Sequence, residues 1–304
     1  KRNKARELAL RGIELGKLLD FYEDLSRKKT AMKHFLPLQS TTSDVVRGAI
    51  IPATAKDGKP GLSYAQFVHG EHGRLATRMV SHNWQNVFSH LVAAVVADAL
   101  ELPVFERVLR RLAPGSIGAL RVDLEQRGKL DIVYWICAFS VNQHVSICKT
   151  IWPGDLDCIT NKIPEVCKCS TILQPNSSPE CEVDKFDEMM EFMLPQALLE
   201  GKAPRHVVAL DQRCIIFSRA WVVAELVVAA CIEMATPLDQ RFQAYNMSCL
   251  QELENRTAGT GVDIRDCKAS NPADVELVLD KAAKLIYSSF EQFNKELNAR
   301  IFRI

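Results

Sequence analysis

The sequence lacks a hydrophobic run of membrane-spanning length, because Asp98 and Glu225 interrupt its longest apolar stretches. It also lacks an excess of charge of either sign, since 38 Lys and Arg residues nearly balance 37 Asp and Glu residues. This balance argues against nucleic acid or an anionic membrane surface as a partner. No internal repeat occurs, and the absence of a G-x-S-x-G nucleophile elbow argues against a hydrolase of that class.

Cysteine is also sparse, with ten residues in a chain of 304, too few for a disulfide scaffold. We find no secretory signal, so the cysteines are expected to be thiols or metal ligands in an intracellular, reducing compartment. Hydrophobic residues make up 47% of the chain, enough for one large core or two smaller ones.

Short apolar segments alternate with amphipathic ones from residue 75 onward, which predicts an α/β domain over 75–304. The segment at 132–139 is apolar throughout, so a central strand is expected there. We expect strands at 76–80, 132–139, 206–210, 241–246 and 262–265.

Two regions depart from this alternation. Residues 1–74 predict an N-terminal helical extension packed on the core, with an amphipathic helix over 7–25 and a short helix from Val45 to Ile51. Residues 146–184 form a Cys-rich insertion with several prolines. A loop of this length inside a compact domain needs something to hold it in place.

Cysteine and histidine residues in and beside the insertion suggest what holds it. Any four of five residues could surround Zn²⁺ tetrahedrally and close the loop as a structural site. The alternative is five ordinary thiols, with the histidine lining a cleft. The candidate ligands are His144, Cys148, Cys167, Cys169 and Cys181.

Glu225 is the one carboxylate in a long apolar segment, and it follows Trp221 by four residues, so the two share a helix face. Its valine and leucine neighbours would desolvate it, so it must be paired, protonated or turned towards a cavity. If it is paired, the candidate partners are Arg78, Arg213 and Arg219.

The order of the motifs VSHNW, YWICAF, VVALD and FSRAWVVAEL resembles the TIR (Toll/interleukin-1 receptor) family, over roughly residues 75–270. The chain also resembles a group of algal proteins that share VSHNW, NQH, KFD and SRAW. The TIR resemblance implies a flavodoxin-like, five-stranded parallel sheet flanked by helices, in the order 2-1-3-4-5. The chain departs from the family pattern at Val222, where Cys is usual, and at Ser81-His82 in the first motif.

The resemblance also implies a site, because the matching Glu is catalytic in family members that cleave NAD. By that match Glu225 would stabilise a ribosyl cation electrostatically, so NAD would be a substrate rather than a cofactor. The polar and aromatic residues expected to line the cleft are Ser81, His82, Asn83, Trp84, Asn142, Ser218 and Trp221.

Two functions therefore remain open. The favoured one is a TIR-like interaction or structural module that docks on partner chains or self-associates in a larger assembly. The alternative is an NAD-cleaving hydrolase or cyclase that acts through Glu225. An open cleft with Glu225 at its floor would favour the enzyme, and a closed one the module.

Overall fold

A computed structural model describes residues 2–70, 72–102, 104–152, 154–176, 178–202, 204–211, 215–235, 246–248, 262–269, 272–286 and 289–301. It contains a five-stranded sheet in the spatial order β1-β3-β2-β4-β5. The neighbouring strands β2, β3, β4 and β5 run parallel, and β1 is antiparallel to β3. The strands are β1 (Ile13–Glu14), β2 (Arg78–His82), β3 (Val133–Ile136), β4 (Arg205–Ala209) and β5 (Asn246–Ser248).

The four parallel strands follow the order expected for the first four strands, 2-1-3-4. The expected strand at 262–265 is wrong, because Ile264–Asp266 form a 3-10 turn in which the Arg265 N–H donates to the Asp263 side chain. The fifth strand is instead β1, at the opposite edge of the sheet. Residues 241–245 of the expected fourth strand lie outside the described residues.

Helices cover both faces of the sheet. Among the described residues, no helix is both long enough and apolar enough to cross a bilayer. In chain order the helices are α1 (Arg2–Ala9), α2 (Leu15–Ser26), α3 (Thr42–Val45), α4 (Ile51–Thr54), α5 (Tyr64–His69), α6 (Phe88–Ala99), α7 (Glu106–Arg111), α8 (Ile117–Gln126), α9 (Cys137–Ser140), α10 (Gln143–Ser146), α11 (Phe186–Leu199), α12 (Ala220–Ala235), α13 (Pro272–Leu285) and α14 (Phe290–Ile301).

The central strands are buried on both faces, because successive side chains of a strand point to opposite sides. On one face Val80 and Val207 belong to the same buried cluster as residues of α2 and α6. On the other, Met79 and Val208 pack with residues of α1, α11 and α12. The N-terminal residues thus contribute to the core on each side of the sheet.

The helix expected over 7–25 is confirmed at 7–9 and 15–25, but it is not continuous, because the chain breaks between α1 and α2 to form β1. The cause is a close approach at Gly12, whose N–H donates to the Arg74 carbonyl at 2.9 Å. A Cβ atom at Gly12 would lie 2.3 Å from Cγ1 of Val133, so no larger residue fits there without displacement.

The bounds of one helix and one strand also differ from expectation. Helical backbone begins at Thr42, after a capping box between Thr41 and Asp44, and continues through Pro52 to Thr54 with a π-helical stretch over Val46–Ile50. The strand expected over 132–139 ends at Ile136, where Cys137–Ser140 turn into a short helix.

The insertion has no helix or strand in the part that the structure describes between residues 147 and 185. Arg47, in the N-terminal region, forms hydrogen bonds with the first turn of the insertion. The guanidinium donates to the carbonyls of Ile147 at 3.1 Å and Thr150 at 2.9 Å, and to the Asp155 carboxylate at 2.8 Å. These contacts are charge-assisted and therefore stronger than ordinary loop hydrogen bonds.

Candidate functional site

Glu225 lies on α12 and points at the sheet, with only 6% of its surface exposed. Ser81 on β2 donates a hydrogen bond to its carboxyl group. The Ser81 hydroxyl also lies 2.7 Å from Nε2 of His206 on β4. Ser81 pairs with Val208, two residues after His206, so both polar side chains project from the same face of the sheet.

Burial controls the charge of this trio. It raises the pKa of Glu225 to about 8, against a smaller lowering by the Ser81 hydrogen bond. It lowers the pKa of His206 to about 3. Both groups are therefore mainly neutral at neutral pH. The sequence left Glu225 to be paired, protonated or turned towards a cavity, and the raised pKa favours the protonated form.

Of the basic partners expected for Glu225, the two that the structure describes, Arg78 and Arg219, form no ion pair with it. Arg78 instead pairs with the buried carboxylate of Asp98, to which the Tyr134 hydroxyl also donates at 2.8 Å. Arg213 lies outside the described residues. In the part of the chain that the structure describes, no basic side chain contacts Glu225, so the expectation of an ion pair with Arg78 is wrong.

The space beside Glu225 is small. A cavity of about 20 Å³ lies between α12, α13 and the start of α11, lined by Glu225, Trp221, Phe186, Lys281 and their neighbours. That volume holds roughly one water molecule. A dinucleotide needs a cavity on the order of several hundred Å³, far larger than this one.

Two of the expected lining residues, Trp84 and His82, contact Cys137. Trp84 Nε1 donates to Cys137 Sγ at 3.3 Å, and His82 Nε2 lies 3.7 Å from the same sulfur. Burial, and then the nearby Glu225, raise the pKa of the Cys137 thiol to about 12. Burial lowers the pKa of His82 to about 4. This is a neutral, packed cluster and not an activated nucleophile.

The remaining expected residues have local structural contacts. Asn83 caps its own turn by accepting from the Gln85 N–H at 3.1 Å. Ser218 donates to the Ile215 carbonyl at 2.7 Å within a 3-10 turn. Asn142 donates to the Gly61 carbonyl at 2.9 Å. Of the expected lining residues, the structure therefore brings Ser81 into contact with Glu225 and places Trp221 beside the cavity.

The second candidate site is a cluster of one imidazole and three thiols. The possible ligand atoms of His144, Cys148, Cys167 and Cys169 all lie within 4.8 Å of one another. Cys148 Sγ is 3.8 Å from Cys169 Sγ, and Cys167 Sγ is 3.6 Å from His144 Nδ1. Three cysteines and one histidine form a common ligand set of structural zinc sites.

The fold positions both ends of this set. His144 and Cys148 are four residues apart, and α10 is capped by Asn142, whose side chain accepts from the His144 N–H at 3.0 Å. Cys167 is placed by its backbone N–H, which donates to the Cys148 carbonyl at 3.1 Å. The insertion therefore returns to its own starting point through a backbone contact.

Residues 54–61 orient the imidazole. The second ring nitrogen of His144, Nε2, lies 2.9 Å from the Thr54 hydroxyl. A Cβ atom at Gly61 would lie 2.2 Å from the ring, so the backbone packs directly against it. A hydrogen bond to the second ring nitrogen is what fixes a ligating histidine in most metal sites, leaving Nδ1 for the metal.

The cysteines of the cluster differ in acidity. Burial and the neighbouring Cys169 raise the pKa of Cys148, and burial raises that of Cys167. Burial also acts to raise the pKa of Cys169, but hydrogen bonds from Thr171 lower it overall. Metal binding requires thiolates, so an ion would displace these protons.

The structure does not place Cys181 with the cluster. Its sulfur lies 3.8 Å from the Asn176 side-chain oxygen, and it is absent from the group of possible ligands among the described residues. Cys158 contacts the Asp44 carboxylate at 2.8 Å and is likewise outside the cluster. The choice of His144 as the fourth member is the one that the geometry supports.

Three residues of the two sites were missed by the sequence analysis. Thr54 and Gly61 carry no local signal, because their importance comes from a contact across the fold. His206 did have a local signal, since a polar ring that opens a fully apolar strand must find a partner.

No protein-family model, no curated protein and no solved structure matches the chain.

Proposed function

We propose that this chain is a TIR-like interaction module with a flavodoxin-like sheet, and that a structural zinc ion closes its Cys-rich insertion. The observation that carries the first part is the enclosure of Glu225, which is 6% exposed and lies beside a cavity of about 20 Å³. The residue ties α12 to β2 through Ser81. Its role is then structural, and function falls to the outer surfaces of the domain.

The charge state of Glu225 supports the same conclusion. A carboxylate that stabilises a ribosyl cation must be ionised when the reaction occurs. The pKa of about 8 leaves Glu225 mainly protonated at neutral pH. The small cavity and the protonated state of Glu225 both favour the interaction module over the enzyme.

Incubation with NAD tests this part of the proposal. We expect no release of nicotinamide, measured by chromatography, at pH 7 or at pH 9, where Glu225 becomes ionised. Nicotinamide release that Glu225→Gln abolishes would establish the enzyme instead. A melting curve of the variant checks that the substitution has not unfolded the chain.

Zinc fits the second site because of its donor set. His144, Cys148, Cys167 and Cys169 would supply four protein ligands and leave no open position, which is typical of structural rather than catalytic zinc. The ion would contribute a folding constraint to a segment with no helix or strand of its own.

Elemental analysis of the purified chain tests the zinc site. We expect about one zinc per chain, as one four-ligand site requires. Cys167→Ser should remove most of the metal, and the matched controls Cys158→Ser and Cys181→Ser should retain it. Equal loss in all three variants, or no metal in the wild type, would contradict the assignment.

A further inference from the structure

A groove of about 750 Å³ runs between the insertion and the N-terminal region. Met32, Ile51 and Pro52 line it on one side, and residues 154–168 of the insertion on the other. Its volume is in the range of specific ligand sites, roughly 300–1,000 Å³, and far exceeds that of the cavity at Glu225. Nothing in the Glu225 or metal site explains it.

One wall of the groove has unused hydrogen-bonding capacity. The carbonyl of Lys162 accepts from Asp157 and the N–H of Cys167 donates to Cys148. Between these anchors, no hydrogen bond with another described residue engages the backbone of 163–166. The segment forms no strand by itself, but its main-chain groups can pair with an extended peptide in the way that a sheet edge does.

The side chains of the same segment are apolar and exposed. Ile163 is 64% exposed and Val166 53% exposed, and both line the groove. Pro164 has no N–H, and it restricts Ile163 to extended backbone. The N–H groups of Ile163 and Glu165, on either side of the proline, are then the donors that one edge of the segment presents.

We propose that this groove binds an extended peptide segment of a partner protein, which adds a strand to residues 163–166. The inference rests on the interaction role proposed above and names the surface and the chemistry of the partner. Main-chain hydrogen bonds would give affinity, and apolar side chains of the peptide would contact Ile163 and Val166.

The charges of the groove define the peptide further. Five carboxylates line it against three Lys or Arg side chains. Arg47 and Asp155 pair with each other, which leaves four carboxylates against two lysines. A peptide with one or two basic residues among apolar ones therefore complements the groove. The carboxylates that line it are Asp44, Asp57, Asp155, Asp157 and Glu165.

A phage-displayed library of random peptides, selected on the full chain, tests the proposal. We expect enriched peptides to alternate apolar residues with Lys or Arg. A fluorescent synthetic copy should bind Val166→Asp about tenfold more weakly or worse, measured by anisotropy, because the apolar contact is lost. N-methylation of alternate peptide amides should abolish binding, because it removes main-chain donors.

Ile172→Asp is the matched control. Ile172 is 76% exposed on the same insertion but does not line the groove, so this variant should bind like the wild type. The proposal that the groove binds a peptide would be overturned by failure to enrich any peptide, by equal binding of the peptide to wild type and Val166→Asp, or by tolerance of N-methylation.

A dimer that Val166→Asp converts to a monomer, seen by sedimentation, would show a second copy as the occupant and would also overturn the proposal. Peptides that bind another face of the domain would refute peptide binding in the groove but not the proposed interaction role. Release of nicotinamide removes that role whatever the groove binds.

Discussion

Replacement of Glu225 by Gln separates a buried neutral acid from a functional carboxylate. The substitution keeps the shape of the side chain and removes its ability to ionise. In the native fold Glu225 accepts a hydrogen bond from Ser81 and has no basic partner among the described residues. Gln therefore leaves no buried positive charge uncompensated, and we expect the variant to fold.

The magnitude follows from linkage between protonation and folding. Burial raises the pKa of Glu225 from an ordinary 4.5 to about 8, so the folded state holds a proton that the unfolded state releases between these values. This contribution to stability is fully present below pH 4.5 and is lost as the pH rises to 8. At about 1.4 kcal/mol per pKa unit, the loss is on the order of 5 kcal/mol as an upper limit.

Urea unfolding of wild type and Glu225→Gln at pH 5 and pH 8 measures this difference. All other titrating groups are common to both chains, so the change in their stability difference between the two pH values reports Glu225. We expect the variant to be similar to the wild type at pH 5 and more stable by several kcal/mol at pH 8. Glu276→Gln, which removes an exposed carboxylate of α13, should show no such change. Destabilisation of Glu225→Gln by the same amount at both pH values would refute the neutral, buried state.

Two further predictions concern the metal cluster. Gly61→Ala should speed the loss of zinc to a chelator, because the new methyl group would displace the His144 ring, whereas Gly118→Ala, at a helix position open to solvent, should not. Removal of zinc from the wild type should lower its melting temperature and make the insertion sensitive to protease. Added zinc should reverse both effects. An unchanged melting temperature would count against a structural ion.

The sequence pattern was sufficient for elements whose signal is local. The apolar runs that became β2, β3 and β4 are recognisable because a strand covered on both faces is rich in hydrophobic residues at successive positions. The pattern failed at 262–265, where apolar residues alternate with charged ones but the chain forms a 3-10 turn capped by Asp263. It also failed at Gly12, because the break there is imposed by the distant Val133.

The sequence by itself determined the alternation of strands and helices, the presence of an acid in an apolar helix, and a set of potential metal-ligating residues in and beside one loop. The tertiary structure decided which of these meet. His144 joined three cysteines because Thr54 and Gly61 hold its ring, and Cys181 did not. The pKa of Glu225 is raised because the packing of α12 on β2 removed its carboxyl group from water, and this loss of hydration depends on neighbours that are far away in sequence.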